Sequence, residues 1–516
     1  MKYILTLLTI VMLLASAYAS SAADLKINGQ NQLRYARGEE PGQADGKSFS
    51  YFENYLNLNI EYDKYRIFLR HSFLLPSEFD KEQAGNDALD KRYIQYTDDN
   101  FQIRVGDFYR TMGRGLLFGN VELLELNFDS GLDGVVIDGE YKGLETTIFR
   151  GAEMDTASVF REAAEGIYLS YDLPWYDLRL GGIASHLDAG PRHPDLERWG
   201  AEFETTVGSV NWYTAYSADQ LDREQDRRFN GFYSALSTFN FGMGLLVEYK
   251  NYRLFTYSDP ALSGGATDSP SLQYPATAIP EITMYLLDRH PRIMHYADDV
   301  GYQIEWTTSY DEWNFLANYS RTSRHDGEKL MPSAKEEHSP YQSMLAQADY
   351  DPWEGNRIMA QGGWQEDIEF THTATGGYSA WYRRTAGGGS YDYHLNDVVT
   401  MGLELEMMRE EDKARDLRYW FEYYAFTYTQ ASIGTMTIGA EITDKQNETG
   451  GLGVPGGLLA GEGRYWPSVE FTMDIKTRHQ ARLFVGHERG GLRCSGGSCR
   501  QVNPFKGVKL TLTSQF

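Results

Sequence analysis

Apolar and polar residues alternate one by one in run after run along this chain. Phe52, Leu56, Leu58 and Ile60 share one side of an extended segment, while Glu53, Asn57, Asn59 and Glu61 share the other. Phe101, Ile103 and Val105 alternate with Gln102 and Arg104, and Trp199, Ala201 and Phe203 with Arg198, Glu202 and Glu204. The same period of two returns at Trp313–Tyr319, Met436–Ile442 and Val469–Ile475. That period is the mark of a β-strand with two different faces. Each run is about ten residues long, which is what a tilted strand needs to cross a hydrocarbon layer. The last run, Lys506 to Phe516, points Val508, Leu510 and Leu512 one way and Lys509, Thr511 and Thr513 the other, and ends on an aromatic.

The connections carry a second rhythm. Tight turns are predicted at 62–65, 98–100, 141–143, 207–209, 239–241, 309–312 and 476–479. Between them lie long polar stretches, among them 38–48, 76–90, 110–133, 252–298, 322–340, 444–462 and 490–505. Short and long connections therefore alternate, as they do where strands shuttle between a turn side and a loop side of a membrane. The fold class read from this is all-β: a transmembrane antiparallel up-and-down β-barrel. If the first strand leaves and the last strand returns to the same side, the count is even. Twenty-four strands fit if 377–384 is a strand and 409–414 an outer turn; 22 fit otherwise. The stretch 413–424, rich in Glu, Lys, Ala and Arg, also suits a helix.

Composition agrees with this reading. Tyr 37, Phe 25 and Trp 10 make 14% of the chain aromatic, and a mean hydropathy of -0.50 excludes a bundle of apolar helices. Alternation lets a membrane barrel average out as polar. The net charge of -25 excludes nucleic acid as a partner, since phosphates require a basic face. Residues 1–23 read as a signal peptide, with Lys2 ahead of an apolar core from Ile4 to Leu14 and small residues at Ala17–Ala19 and Ser21–Ala23. The rest, 24–516, reads as one barrel domain in a bacterial outer membrane. Cys494 and Cys499 flank a Ser-Gly-Gly-Ser turn, and in an exported chain a disulfide between them is the expectation.

Several motifs carry a family resemblance. They are Gly106-Asp-Phe-Tyr-Arg-Thr-Met-Gly-Arg-Gly-Leu-Leu117, Asp129-Ser-Gly-Leu-Asp-Gly-Val-Val136, Leu287-Asp-Arg-His290, Ala297–Gln303 and the Cys494/Cys499 loop before the terminal Phe. Together they resemble an uncharacterised family of predicted outer-membrane β-barrels from Bacteroidota-like bacteria. The resemblance implies fold and location, and no activity.

Width then points toward function. Barrels of about 16–18 strands already enclose water, and those of about 22 are normally plugged. No plug domain precedes the first strand, so loops or a partner must narrow the lumen. Segment 110–133 is too apolar for a stretch exposed to solvent, with Met112, Leu116, Leu117, Phe118, Leu123, Leu124, Leu126 and Phe128. Folded inward, it would leave Asp107, Arg110, Arg114, Glu122 and Glu125 as constriction residues, with Gly113 and Gly115 permitting tight turns around Arg114. Segment 252–298 adds Arg289 and His290, either dropped into the lumen or laid over the mouth as a cap. Glu53, Glu61, Arg66, Arg70, Arg104, Glu202, Glu204 and Glu404 fall on the polar strand faces and define the lumen wall. Most of these are expected to be paired wall charges, and the acidic excess predicts weak cation preference.

No nucleophile elbow, phosphate-binding loop or zinc helix occurs, and the histidines are scattered, so neither an enzyme nor a cofactor nor a metal site is expected. The sequence reading is a porin-like channel for small hydrophilic solutes embedded in outer-membrane lipid. The alternative is a barrel that acts as scaffold or conduit with a periplasmic or surface protein.

Overall fold

The computed structural model describes residues 25–39, 48–78, 86–154, 160–174, 177–188, 195–221, 228–257, 269–270, 272–280, 282–353, 356–373, 376–431, 433–445, 452–454, 463–495 and 498–516. The expected signal peptide, 1–23, lies outside them. One sheet contains twenty-five strands. One of these, Leu452–Val454, is a three-residue strip against the start of Gly463–Ile475. The other twenty-four form an antiparallel ring in chain order. Each pairs with the next, and the first, Leu25–Glu39, pairs with the last, Phe505–Gln515. Closure leaves no open edge, so every strand finds hydrogen-bond partners on both sides.

The seam shows how the ends of the chain lock. Leu33 lies opposite Leu512, and Tyr35 opposite Leu510. Phe516 continues the ladder by exchanging backbone hydrogen bonds with Gly29, at 2.9 and 3.0 Å. Its ring lies so close over Gly29 that a Cβ there would meet ring carbon at 2.5 Å. Glycine at 29 therefore makes room for the terminal aromatic.

The faces sort as the alternation requires. Val135 and Ile137 are 39% and 37% exposed on the outside, while Val136 between them is fully buried inside. Ile148, Ile167, Trp199, Leu245, Ile304, Leu403, Phe426, Val469 and Val485 continue the outer apolar surface. All the tight turns predicted above are present. At all but 98–100 a left-handed residue supplies the positive φ: Asp63, Lys142, Gly208, Phe241, Asp311 or Lys476. The opposite end carries the long connections, including 109–131, the described parts of 254–298, 324–340 and 489–504.

Three expectations change. The strand expected at 377–384 is far longer, Gly376–Asn396, and pairs along its length with Asn356–Thr373. The outer turn expected at 409–414 lies at 413–416, because Val399–Asp412 continues as strand. The helix-compatible composition of 413–424 is overridden, and Leu417–Gln430 is a strand. Its outward Trp420, Tyr424 and Phe426 alternate with inward Phe421 and Ala425, and that two-faced burial outweighs a helix propensity of tenths of a kcal/mol per residue.

Removing Phe516 is expected to cost the closed barrel about 1–3 kcal/mol through a lost ring contact and two lost hydrogen bonds. A lower folded fraction in a heat-modifiability gel shift, at matched expression, would show it. An unchanged fraction and unchanged thermal stability would contradict the seam described here.

Candidate functional site

At the loop end, several strands break the polar-inside rule. Phe149, Ala164, Ile183, Leu187 and Leu196 are apolar, inward-facing and buried. Tyr213, Ala215, Tyr233 and Ala235 form a second apolar patch, and Leu345, Ala386, Met408 and Phe421 a third. Apolar wall inside a water-filled tube must be covered. The two inner loops cover it.

The first loop, 109–131, is two miniature hairpins. Thr111–Met112 pairs with Phe118–Gly119, and Glu122–Leu123 with Phe128–Asp129. Buried Asn120 joins them, accepting the Arg110 amide at 2.5 Å and donating to the Phe108 carbonyl at 2.9 Å. Met112, Leu117 and Phe118 pack on the first wall patch, and Leu116 on the second. The wall has sockets for them. A Cβ on Gly200 would meet Leu117 at 2.4 Å, and one on Gly231 would meet Leu116 at 2.6 Å. Each fully buried leucine contributes about 1.5–3 kcal/mol.

The described part of the second loop, 254–298, lies against the first and then crosses to the third patch. Gly119 donates to the Leu272 carbonyl and Tyr274 to the Gly115 carbonyl, both at 2.9 Å. Gln273 donates to the Leu116 carbonyl at 2.5 Å. Arg198, in a buried bidentate pair with Asp219 at 2.8 and 2.9 Å, also donates to the Leu272 carbonyl at 3.3 Å. Farther on, Tyr285–Asp288 makes one helical turn. Glu406 of the wall accepts the Tyr285 and Leu286 amides at 3.0 and 2.9 Å. Leu287 fills a third socket at Gly363, where a Cβ would come within 2.4 Å. The described part of the loop thus packs on inward-facing residues of the wall strands.

Charged groups fasten both loops to the wall. Arg70 pairs with Glu122, Lys91 with Asp129 at 2.5 Å, and Arg110 with Asp138 at 2.5 Å. In the second loop Arg289 lies 3.3 Å from Glu441, and Arg292 2.8 Å from Asp367 and 3.2 Å from Glu369. Lys250 and Asp299 form a buried pair at 2.8 Å where that loop re-enters the wall.

The residues expected to form a constriction accordingly divide. Arg110, Glu122 and Arg289 are anchors turned toward the wall. Asp107 accepts the Arg92 amide at 2.6 Å and lies 3.8 Å from Lys91, holding the wall strands together. His290 is mostly buried, with Nε2 3.9 Å from Glu410. Burial, reinforced by Arg384, holds its imidazole well below the ordinary range, so it is neutral at pH 7. Arg114 and Glu125 remain exposed.

The expected lumen-wall residues also separate. Glu53 is buried, accepting the Ser77 hydroxyl at 2.9 Å and the Glu78 amide at 2.8 Å. Glu61 pairs with Arg66 at 2.7 Å. Arg70 also donates to Asn57 at 2.8 Å, and Arg104 donates to Gln95 at 2.6 and 3.0 Å. Glu202 accepts the Tyr168 and Tyr213 hydroxyls. Glu204 is exposed and Glu404 half-buried, and no ion pair to either is found among the described residues. Of these eight, Glu61, Arg66 and Arg70 are ion-paired, and Glu53, Arg104 and Glu202 are held by hydrogen bonds. The backbones of Cys494 and Cys499 lie opposite each other in the ladder Gly491–Ser495/Ser498–Val502, and their side chains lie outside the described part.

The wall glycines and the carbonyl-binding Gln273 were not singled out from sequence. Their signal is faint: small or apolar residues on a strand face that is otherwise polar, near its loop end.

Residues 1–176 match the model of a family of unknown function (DUF6029), a span that includes the first inner loop. No curated protein matches the chain. Among solved structures, a chain of the E. coli P pilus tip assembly intermediate PapC-PapD-PapK-PapG aligns with a TM-score of 0.51 and 9% identity. That alignment covers 96% of this chain and 62% of the other. The copper transporter OprC aligns at 0.44 with 9% identity, covering 96% and 81%. A BenF-like porin from Pseudomonas fluorescens Pf-5 aligns at 0.39 with 9% identity, covering 67% and 94%. At these identities the likeness concerns the fold alone, a transmembrane β-barrel.

Filling a socket should release a loop. Gly200→Leu is expected to expel Leu117 and raise amide exchange across 112–119 by about tenfold or more, read by hydrogen-exchange mass spectrometry. Exchange that stays at the wild-type level would mean the socket does not hold the loop.

Proposed function

We propose that this chain is an outer-membrane channel for small hydrophilic solutes, narrowed from within by its two inner loops. One observation supports the reading: the described parts of 109–131 and 254–298 pack on inward-facing residues of the wall strands through leucine sockets, shared hydrogen bonds and buried ion pairs. A barrel of twenty-four strands is wide enough to pass metabolites without discrimination unless something occupies its bore. Loops fixed to the wall would narrow such a bore.

Under this reading residues 1–23 direct export, the short turns face the periplasm and the long loops face outward. Cys494 and Cys499 form a disulfide in an outer loop. The paired wall charges give little net field, and the acidic excess of the chain, -25 overall, leaves a weak cation preference. The chain performs no covalent chemistry; selection rests on bore size, on the exposed charges Arg114, Glu125 and Glu204 and on half-buried Glu404.

Single-channel recording in planar bilayers tests the proposal. Replacing 112–129 by a short glycine–serine turn is expected to raise unitary conductance about twofold or more, since conductance follows bore cross-section. Absence of conductance steps from both wild type and variant would overturn the channel reading. Equal conductance in the two would remove the first loop as a constriction.

A further inference from the structure

We propose that Arg114 is a binding residue for small anionic solutes that carry a carboxylate or phosphate group. The proposal rests on the channel reading for the route by which such a solute arrives, and it names a solute class held at one point of a bore whose overall preference is weakly for cations.

Within residues 112–119 every position is buried except Arg114. Its neighbours on the C-terminal side, Leu116 and Leu117, sit in the Gly231 and Gly200 sockets, so the turn cannot swivel. Arg114 itself is left-handed, with φ 50° and ψ 38°, between Gly113 at φ 62° and Gly115 at φ 84°. A left-handed arginine is strained, and strain of that kind persists where the surrounding structure imposes it and often where function uses it. Here it throws one cation off an apolar bed into the lumen.

The guanidinium rests on an aromatic shelf, with Cζ 3.9 Å from the centre of the Tyr213 ring and 6.0 Å from that of Tyr233. The acids behind those rings are already engaged. Tyr168 and Tyr213 donate to the two oxygens of Glu202, and Tyr233 donates to Glu248. Arg70, Arg110, Arg289 and Arg292 are all committed to ion pairs, whereas no ion pair to Arg114 is found among the described residues. An exposed arginine on a flexible loop would call for no explanation. This one is held rigidly over tyrosine rings and, beyond a polar contact with the Tyr233 hydroxyl, keeps its planar fork of donors available. Such a fork matches a carboxylate or phosphate bidentately.

Isothermal titration of the purified full-length barrel in non-ionic detergent at low salt tests this, with succinate, glycerol 3-phosphate and uncharged glycerol as probes. Saturable binding of at least one anion is expected, with none of glycerol; which anion binds decides between carboxylate and phosphate. Arg114→Ala should weaken that binding about tenfold or more. Arg114→Lys, which keeps the charge and loses the fork, should fall between. Arg357→Ala, which removes a wall arginine paired with Asp349 at 2.6 Å, should bind as wild type. A heat-modifiability gel shift identical to wild type verifies that each variant is folded. Absence of saturable binding of both anions to wild type, or binding that Arg114→Ala retains, would overturn the proposal. Because binding is read without conduction, a barrel that binds through Arg114 yet passes no current would sink only the channel reading.

Discussion

A strand surrounded by hydrocarbon has no water to receive an unpaired amide, so each backbone group must be satisfied by a neighbouring strand. Everything else in this molecule follows from meeting that demand with twenty-four strands. The ring closes only because Leu25–Glu39 and Phe505–Gln515 come into register and the terminal Phe516 folds over Gly29. A ring that wide has an interior that its own inward side chains cannot fill. The interior must then be wet, or covered by something else.

This barrel combines the two. At the loop end the inner wall carries apolar patches, and loops of matching apolar character lie on them. The fit is specific: Leu116, Leu117 and Leu287 each stand where a wall glycine leaves a hollow. Buried ion pairs such as Arg70–Glu122 and Arg292–Asp367 add registry, since breaking one partner would strand the other in a poorly solvated place. Toward the turn end the wall is polar, and pairs such as Glu61–Arg66 and Glu470–Arg482 face each other across neighbouring strands at 2.7 and 2.6 Å. The loops are thus part of the wall, and the bore is bounded by them as much as by the strands.

Much of this was legible in the sequence because its physics is local. Alternation of period two marked which residues face lipid, and the rhythm of short and long connections marked the topology. The excess of leucine and phenylalanine in 110–133 identified that segment as one that could not stay in water. The assignment of individual charges was less legible. Arg110, Glu122 and Arg289 look from sequence like lumen charges, yet their partners are Asp138, Arg70 and Glu441 respectively. Only the closed ring, with the loops folded into it, brings each pair together. Likewise Gly200, Gly231 and Gly363 look ordinary until a leucine from far along the chain is seen resting on each. Arg114 was the reverse case: two flanking glycines already announced a turn that exposes it.

The central claim is that residues of the first inner loop lie inside the ring, away from lipid and from bulk solvent, while their strand neighbours face lipid. It is tested most directly by placing a bimane label at Leu117, Val135 or Ile148 in otherwise matched proteins and measuring quenching by brominated lipids and by aqueous iodide. Strong lipid quenching is predicted at Val135 and Ile148, with Leu117 protected from both quenchers. Lipid quenching of Leu117, or free access of iodide to it, would contradict a loop packed on the lumen wall.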